Sequence, residues 1–166
     1  NYLQKLIEGI SPEDRELLQA GLFLGRAIVS DQETLGRGDF LIRGVLGLDR
    51  QNGAMVVGDY IETGETIQFH PRDASTPAED LEMMLMPQLF YDPPCGGLLF
   101  SCNGRGSRLY NYPNGDISAI QKVLGEIHLA GFFCAGELGP IGSKNFLHGH
   151  TASLVLFRPQ PADSII

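Results

Sequence analysis

An α+β fold, a single domain with a mixed β-sheet and about three helices, is predicted by three features of the sequence. Short apolar runs rich in β-forming residues recur along the chain, and three longer segments carry helix-start signals. In the second half one of those helices lies between two β-like runs. A connection of that kind joins parallel strands, whereas the short turns elsewhere join antiparallel ones. The length of 166 residues suits one domain with a real core.

"SPEDRELLQAG" begins the first helix, with Ser11 as cap, Pro12 at the first helical position, acids in the first turn and Gly21 placed to stop it. "GLFLGRAIVS" reads as a strand. "DFLIRGVLGLDRQNGAMVVGDYI" holds two β-like runs joined around Asn52-Gly53, a hairpin signal. "ETIQFHPRD" alternates and adds a third strand. "STPAEDLEMMLMPQLF" reads as a helix with Thr76 as cap, Pro77 at the first position and Glu79 completing a capping box. Leu81, Met84, Leu85 and Leu89 form its apolar face, which is expected in the core, and Pro87 should end or kink it. "CGGLLFSC" is a continuous apolar run of the kind found in central strands. "GDISAIQKVLGE" is a helix capped by Asp116, with Ile117, Ile120, Val123 and Leu124 on one side. "LAGFFCAG" reads as another buried strand and "TASLVLF" as the last. With no internal repeat or boundary in view, the domain is expected to run over 1–158, with a tail at 159–166.

Apolar residues at 43% and charged residues at 19% describe a globular chain. The net charge of −8 argues against a nucleic-acid partner, which needs a basic face, and against anionic lipid. No apolar run approaches the roughly 18 residues of a membrane span, and no signal-peptide pattern opens the chain. Cys95, Cys102 and Cys134 are widely spaced and odd in number, so they form no disulfide framework. A reducing, cytoplasmic compartment is expected. The chain opens on Asn1 rather than Met, as expected of a piece of a longer protein.

If the runs Gly97–Cys102 and Ala130–Ala135 are parallel, their C-terminal ends share one sheet edge, where open α/β sheets bind ligands. "NGRGSR" and "GELGPIG" leave that edge, and "FLHGH" arrives there if the last strand is antiparallel. "SCNGRG" lacks the lysine and spacing of a Walker A loop, so nucleotide hydrolysis is excluded. Gly104 and Gly106 either permit a tight turn or open the backbone to a ligand. Arg105 between them is expected to project from the loop and hold a carboxylate by two parallel hydrogen bonds. Glu137 would accept a cation, and the two together suit a zwitterion such as an amino acid. Cys102 and Cys134 read as small core residues, or as a nucleophile if His148 or His150 supplies a base. No CxxC or HxxxH spacing supports a metal at Cys102, Cys134, His148 and His150, and no cofactor is expected.

"LLFSCNGRG", "GFFCAGELGP" and "NFLHGHT", in that order, resemble the FIST C-terminal domain family. "DFLIRGVLGLD" and "GDYIETGETIQFHPRD" add to the resemblance, which spans roughly Tyr2 to Phe157. It implies a sensory module of bacterial signalling proteins, preceded in the full-length chain by a FIST N-terminal domain and proposed to bind small ligands such as amino acids. In eukaryotes the same module occurs in F-box proteins of ubiquitin ligases, where it recruits substrates. The family supplies no catalytic residues. It supports Cys102, Asn103, Arg105, Glu137, Asn145 and His148 as motif positions, not as an active site; these six, with Gly104 and Gly106, are the candidate ligand-binding residues. Ligand sensing is therefore the first reading. Protein recruitment is second and requires an exposed apolar patch that the sequence does not locate. A cysteine-dependent enzyme is third.

Overall fold

The computed structural model describes residues 5, 8–29, 31–49, 51–71, 73, 75–141 and 144–160. Contacts gather into two compact units, Asn1–Asp73 and Ala74–Ile166. The tail expected at 159–166 lies almost wholly outside the described residues.

In the first unit, Ser11 is extended and its hydroxyl accepts from the Asp14 amide at 3.0 Å, which starts helix α1 (Pro12–Ala20) as its sequence requires. Four strands follow: β1 (Leu22–Ala27), β2 (Phe40–Asp49), β3 (Ala54–Val57) and β4 (Ile67–Pro71). They form one antiparallel sheet in the order β3-β2-β1-β4, with the β2–β3 hairpin turning at Asn52-Gly53. Leu24, Ala27 and Leu41 are buried. Asp59 holds Arg43 at 2.7 Å and lies 3.5 Å from Arg26.

The second unit carries the motifs. Its elements are α2 (Ser75–Leu85), a 3-10 turn (Met86–Phe90), β5 (Gly96–Cys102), α3 (Ser107–Tyr110), α4 (Gly115–Leu124), β6 (Leu129–Cys134), β7 (Glu137–Ile141), β8 (Lys144–His148) and β9 (Ala152–Phe157). β5 is central in a three-stranded sheet of order β6-β5-β9. It runs parallel to β6, from Gly97 opposite Leu129 to Cys102 opposite Cys134, and antiparallel to β9. Alternation along β5 puts Leu99 and Ser101 on one face and Phe100 and Cys102 on the other. Leu99 meets Leu85 of α2 and Ile120 of α4 in the core, surrounded by Leu81, Ile117, Val123 and Leu124.

The α+β class holds, but the strands belong to three sheets. Residues read as a loop between β6 and β9 form the separate β7–β8 hairpin. The one-turn α3 adds a fourth helix among the described residues. Helix α2 begins at Ser75, so Thr76 lies inside its first turn instead of capping it. The α-helix ends at Leu85, and Pro87 sits in the 3-10 turn that follows, as a proline stop demands. The tighter turn rotates later residues off the apolar stripe. Leu81 and Leu85 pack inward, while Met84, 75% exposed, and Leu89 face out. β6 is not a buried strand but a sheet edge, with Phe132 and Phe133 65% and 60% exposed. Among the described residues no helix is long and apolar enough to cross a membrane.

Candidate functional site

Three chain segments are stitched together where β5 ends. The Cys102 amide donates to the Thr151 carbonyl at 3.0 Å, and the Asn103 amide donates to the Cys134 carbonyl at 2.7 Å. The parallel β5–β6 pair and the antiparallel β9 thus bring the loops after β5, after β6 and before β9 to one edge, as their connections predict. The Arg105 amide then turns back onto the Cys102 carbonyl at 2.8 Å. Helix α3 follows at once, and Asn111 and Asn114, at φ 59° and 62°, swing the chain into α4.

This double turn folds Arg105 onto Asp116. Both side chains are 6% exposed. The Arg105 Nε donates to Asp116 Oδ1 and Oδ2 at 3.0 and 3.1 Å, and Nη2 donates to Oδ1 at 2.5 Å. Nη2 also reaches the Tyr110 hydroxyl at 2.6 Å, and Nη1 donates to the His150 carbonyl at 3.0 Å. Ser101 Oγ donates to Asp116 Oδ2 at 2.6 Å, and the Tyr110 hydroxyl donates to Oδ1 at 2.7 Å. Burial pushes the Asp116 carboxyl up, but the hydrogen bond and charge of Arg105, with the two hydroxyls, outweigh it and hold it below its ordinary value. Burial likewise pulls the Arg105 guanidinium down, and Asp116 reverses this and raises it. Burial, then the bond to Asp116, drives the Tyr110 hydroxyl well above its ordinary value, so it stays a donor.

The cluster needs two glycines. A Cβ at Gly115 would enter the Tyr110 ring, and one at Gly104 would enter the His150 imidazole. Gly106 is buried and opens α3.

Arg105 is therefore not the projecting arm that its glycine-flanked loop predicts. Every guanidinium nitrogen is already engaged inside the protein. Asp116 is not the cap of α4 either. Asn114 holds that position without a side-chain cap bond, and Asp116 sits in the first turn, facing inward. Sequence reasoning missed Asp116 and Tyr110 as partners of Arg105, because no fixed spacing announces a contact made through a one-turn helix.

Glu137 opens β7 directly opposite His148 of β8. It is 7% exposed. Its Oε2 accepts from Thr151 Oγ1 at 2.6 Å, and its Oε1 is buried with no hydrogen-bond partner among the described residues. His148 Nε2 lies 3.1 Å from the Gly139 carbonyl on its own hairpin. Thr151 and His150 thus link Glu137 and Arg105 through adjacent residues of one segment. Asn145 does not join them. It pairs with Pro140, an odd number of residues from His148, and so lies exposed on the opposite face of the hairpin. Asn103 is exposed. The Cys102 sulfur is buried and accepts from the Gly104 amide at 3.5 Å, while the Cys134 thiol points to the Phe132 carbonyl at 3.9 Å. Among the described residues no three His, Cys, Asp or Glu side chains stand together as metal ligands would.

Beside the Arg105–Asp116 pair, between β5, β6 and the start of α4, lies a cleft of about 350 Å³. Leu99, Ile117, Leu129 and Phe133 give it apolar walls, and Asn114 and Asp116 give it polar ones. Its size and mixed lining fall in the range of small-molecule pockets.

The model of the FIST C domain family matches residues 1–140. Two strains of Mycobacterium tuberculosis carry an uncharacterized protein 45% identical to this chain over 157 residues, 93% of the chain and 41% of the relative. An uncharacterized protein of Mycobacterium bovis is 43% identical over the same length and shares. The chain therefore spans about two fifths of the length of the curated relatives it matches.

Proposed function

The chain belongs to the FIST C domain family, and from that premise we propose that it is the small-ligand-sensing domain of a signal-transduction protein. The observation that carries this reading is the cleft beside the buried ion pair, whose volume suits a metabolite better than a protein surface. The ligand is of the amino-acid or small-amine class. Glu137 lies outside the lining of that cleft, at the same loop edge, and supports an amine because its Oε1 is a buried acceptor with no hydrogen-bond partner among the described residues. A ligand carboxylate at Arg105 is no part of the proposal, since the side chain is buried and all three of its nitrogens already donate inside the protein. A FIST N-terminal domain is the proposed neighbour in the full-length protein, in a cytoplasmic setting, and no catalytic step is assigned.

Thermal-shift measurements on the intact protein with amino acids and small amines test this. A ligand at a hundred times its dissociation constant stabilises by about 2.7 kcal/mol. For a chain of this size that raises Tm by roughly 5–11 °C. Phe133→Lys, which puts a cation in the apolar wall of the cleft from an exposed strand position, is expected to abolish the shift without lowering the unliganded Tm. If no amino acid or amine shifts Tm, or if Phe133→Lys leaves a shift intact, the cleft is not the sensing site.

Recruitment is the second reading, and a specific patch favours it. Met83, Met84, Met86, Leu89, Phe90 and Tyr91 are all exposed around the end of α2, with Phe90 91% exposed. An apolar run of this kind is a surface for a protein partner. Met84→Ser with Phe90→Ser would then abolish complex formation and leave ligand shifts unchanged, whereas the sensing reading alone predicts no loss of any complex.

A further inference from the structure

We propose that Cys102 and Cys134 form a dithiol pair that hydroperoxides oxidise to an intramolecular disulfide, a modification site at the floor of the loop cluster. The two cysteines are the last register partners of the parallel β5–β6 ladder. Neighbouring strands lie about 4.8 Å apart, and register partners in a parallel pair project from the same face. That separation falls inside the roughly 4.4–6.8 Å window between Cα atoms that a disulfide spans. Both thiols are free. The pair sits where regular strand ends and loop begins, held by the Asn103 amide on the Cys134 carbonyl. Small shifts of loop backbone, not of the strand interior, bring the sulfurs together.

The two cysteines differ in access. Cys134 is half-buried at the sheet edge, while Cys102 is buried. Cys134 therefore meets the oxidant first. Its thiolate attacks one oxygen of hydrogen peroxide, the O–O bond breaks, an S–O bond forms, and the released hydroxide takes up a proton to leave as water. Cys102 sulfur then attacks the sulfenic sulfur, the S–S bond forms, and the hydroxyl departs as a second water with the Cys102 proton. Two thiols and one peroxide give one disulfide and two waters. Cys95 is exposed at the opposite end of β5, about 23 Å away along the strand, and cannot reach either partner within the chain. It serves as an internal control.

The reduced, intact protein is treated with equimolar hydrogen peroxide, quenched by alkylation in denaturant, and mapped by peptide mass spectrometry. A linked Cys102–Cys134 peptide pair, lighter by two hydrogens and reversed by a dithiol reductant, is expected while Cys95 takes the alkylating label. Cys102→Ser is expected to leave Cys134 as a sulfenic acid that dimedone captures. The proposal is overturned if oxidised wild-type protein holds Cys134 as sulfenic or sulfinic acid with Cys102 still alkylatable. It is equally overturned if bridges form only through Cys95 between molecules, or if both thiols survive peroxide that oxidises Cys95.

Discussion

Replacing Arg105 by alanine is expected to cost the protein much of its stability, because it strands Asp116. The pair is almost fully buried, and Asp116 takes the bonds of Arg105, Ser101 and Tyr110 together. Removing one partner of a buried ion pair costs about 3–5 kcal/mol, since the remaining charge stays desolvated. At roughly 2–4 °C per kcal/mol for a chain of this size, Tm falls by roughly 6–20 °C. Calorimetry of Arg105→Ala, Asp116→Ala and the double variant reads the effect. The double variant should be more stable than the sum of the singles implies, by about 0.5–3 kcal/mol. The pH dependence has a definite sign. Asp116 is held below its unfolded value of 3.8, so its contribution is complete above that pH and is lost as pH falls through the depressed value. In Arg105→Ala only burial and the hydroxyls act on Asp116, so the carboxyl accepts a proton more readily. The gap between wild type and variant should therefore narrow in acid. A Tm within about 2 °C of wild type at pH 7, or a gap that is constant down to strong acid, would refute the reasoning.

Gly115→Ala is expected to destabilise by about 1–3 kcal/mol through its clash with the Tyr110 ring, although alanine is the better helix former by about 1 kcal/mol; a raised Tm would show that the ring yields freely. Lys122→Ala is expected to change stability by less than about 1 kcal/mol, because its 2.7 Å bridge to Glu82 is solvent-exposed; urea titration showing a larger loss would contradict this.

The fold was legible where local chemistry decides it. Ser11 caps α1 because its hydroxyl has an orphan amide three residues on, and Asn52-Gly53 turns a hairpin because it supplies the backbone the turn needs. The parallel β5–β6 pair followed from a helix lying between two apolar runs. What failed depended on neighbours. "LAGFFCAG" is apolar enough for a central strand, yet among the described residues no strand pairs with its outer side, and Phe132 and Phe133 are exposed. Met84 lies on the apolar stripe of α2, but the core of this unit reaches only as far as Leu81 and Leu85.

The site shows the same division more sharply. Topology brought the three motif loops to one edge, and the amide of Cys102 on Thr151 and of Asn103 on Cys134 measure how closely they meet. The roles within that edge were not legible. A guanidinium between two glycines looks the same in sequence whether it waits for a ligand or is already paired. The partner that decides the matter is Asp116, eleven residues on and delivered by α3, a turn too short for periodicity to reveal. Glu137 has the opposite character. Its sequence context, acidic among glycines and apolar residues, fits a surface loop, yet the hairpin buries it and leaves Oε1 without a hydrogen-bond partner among the described residues. Of the two side chains that the motifs offered to a ligand, Arg105 donates from all three nitrogens inside the fold, and Glu137 keeps one buried oxygen without a partner among the described residues. That contrast is why the proposed ligand is a donor, an amine or other hydrogen-bearing group, and not an acid.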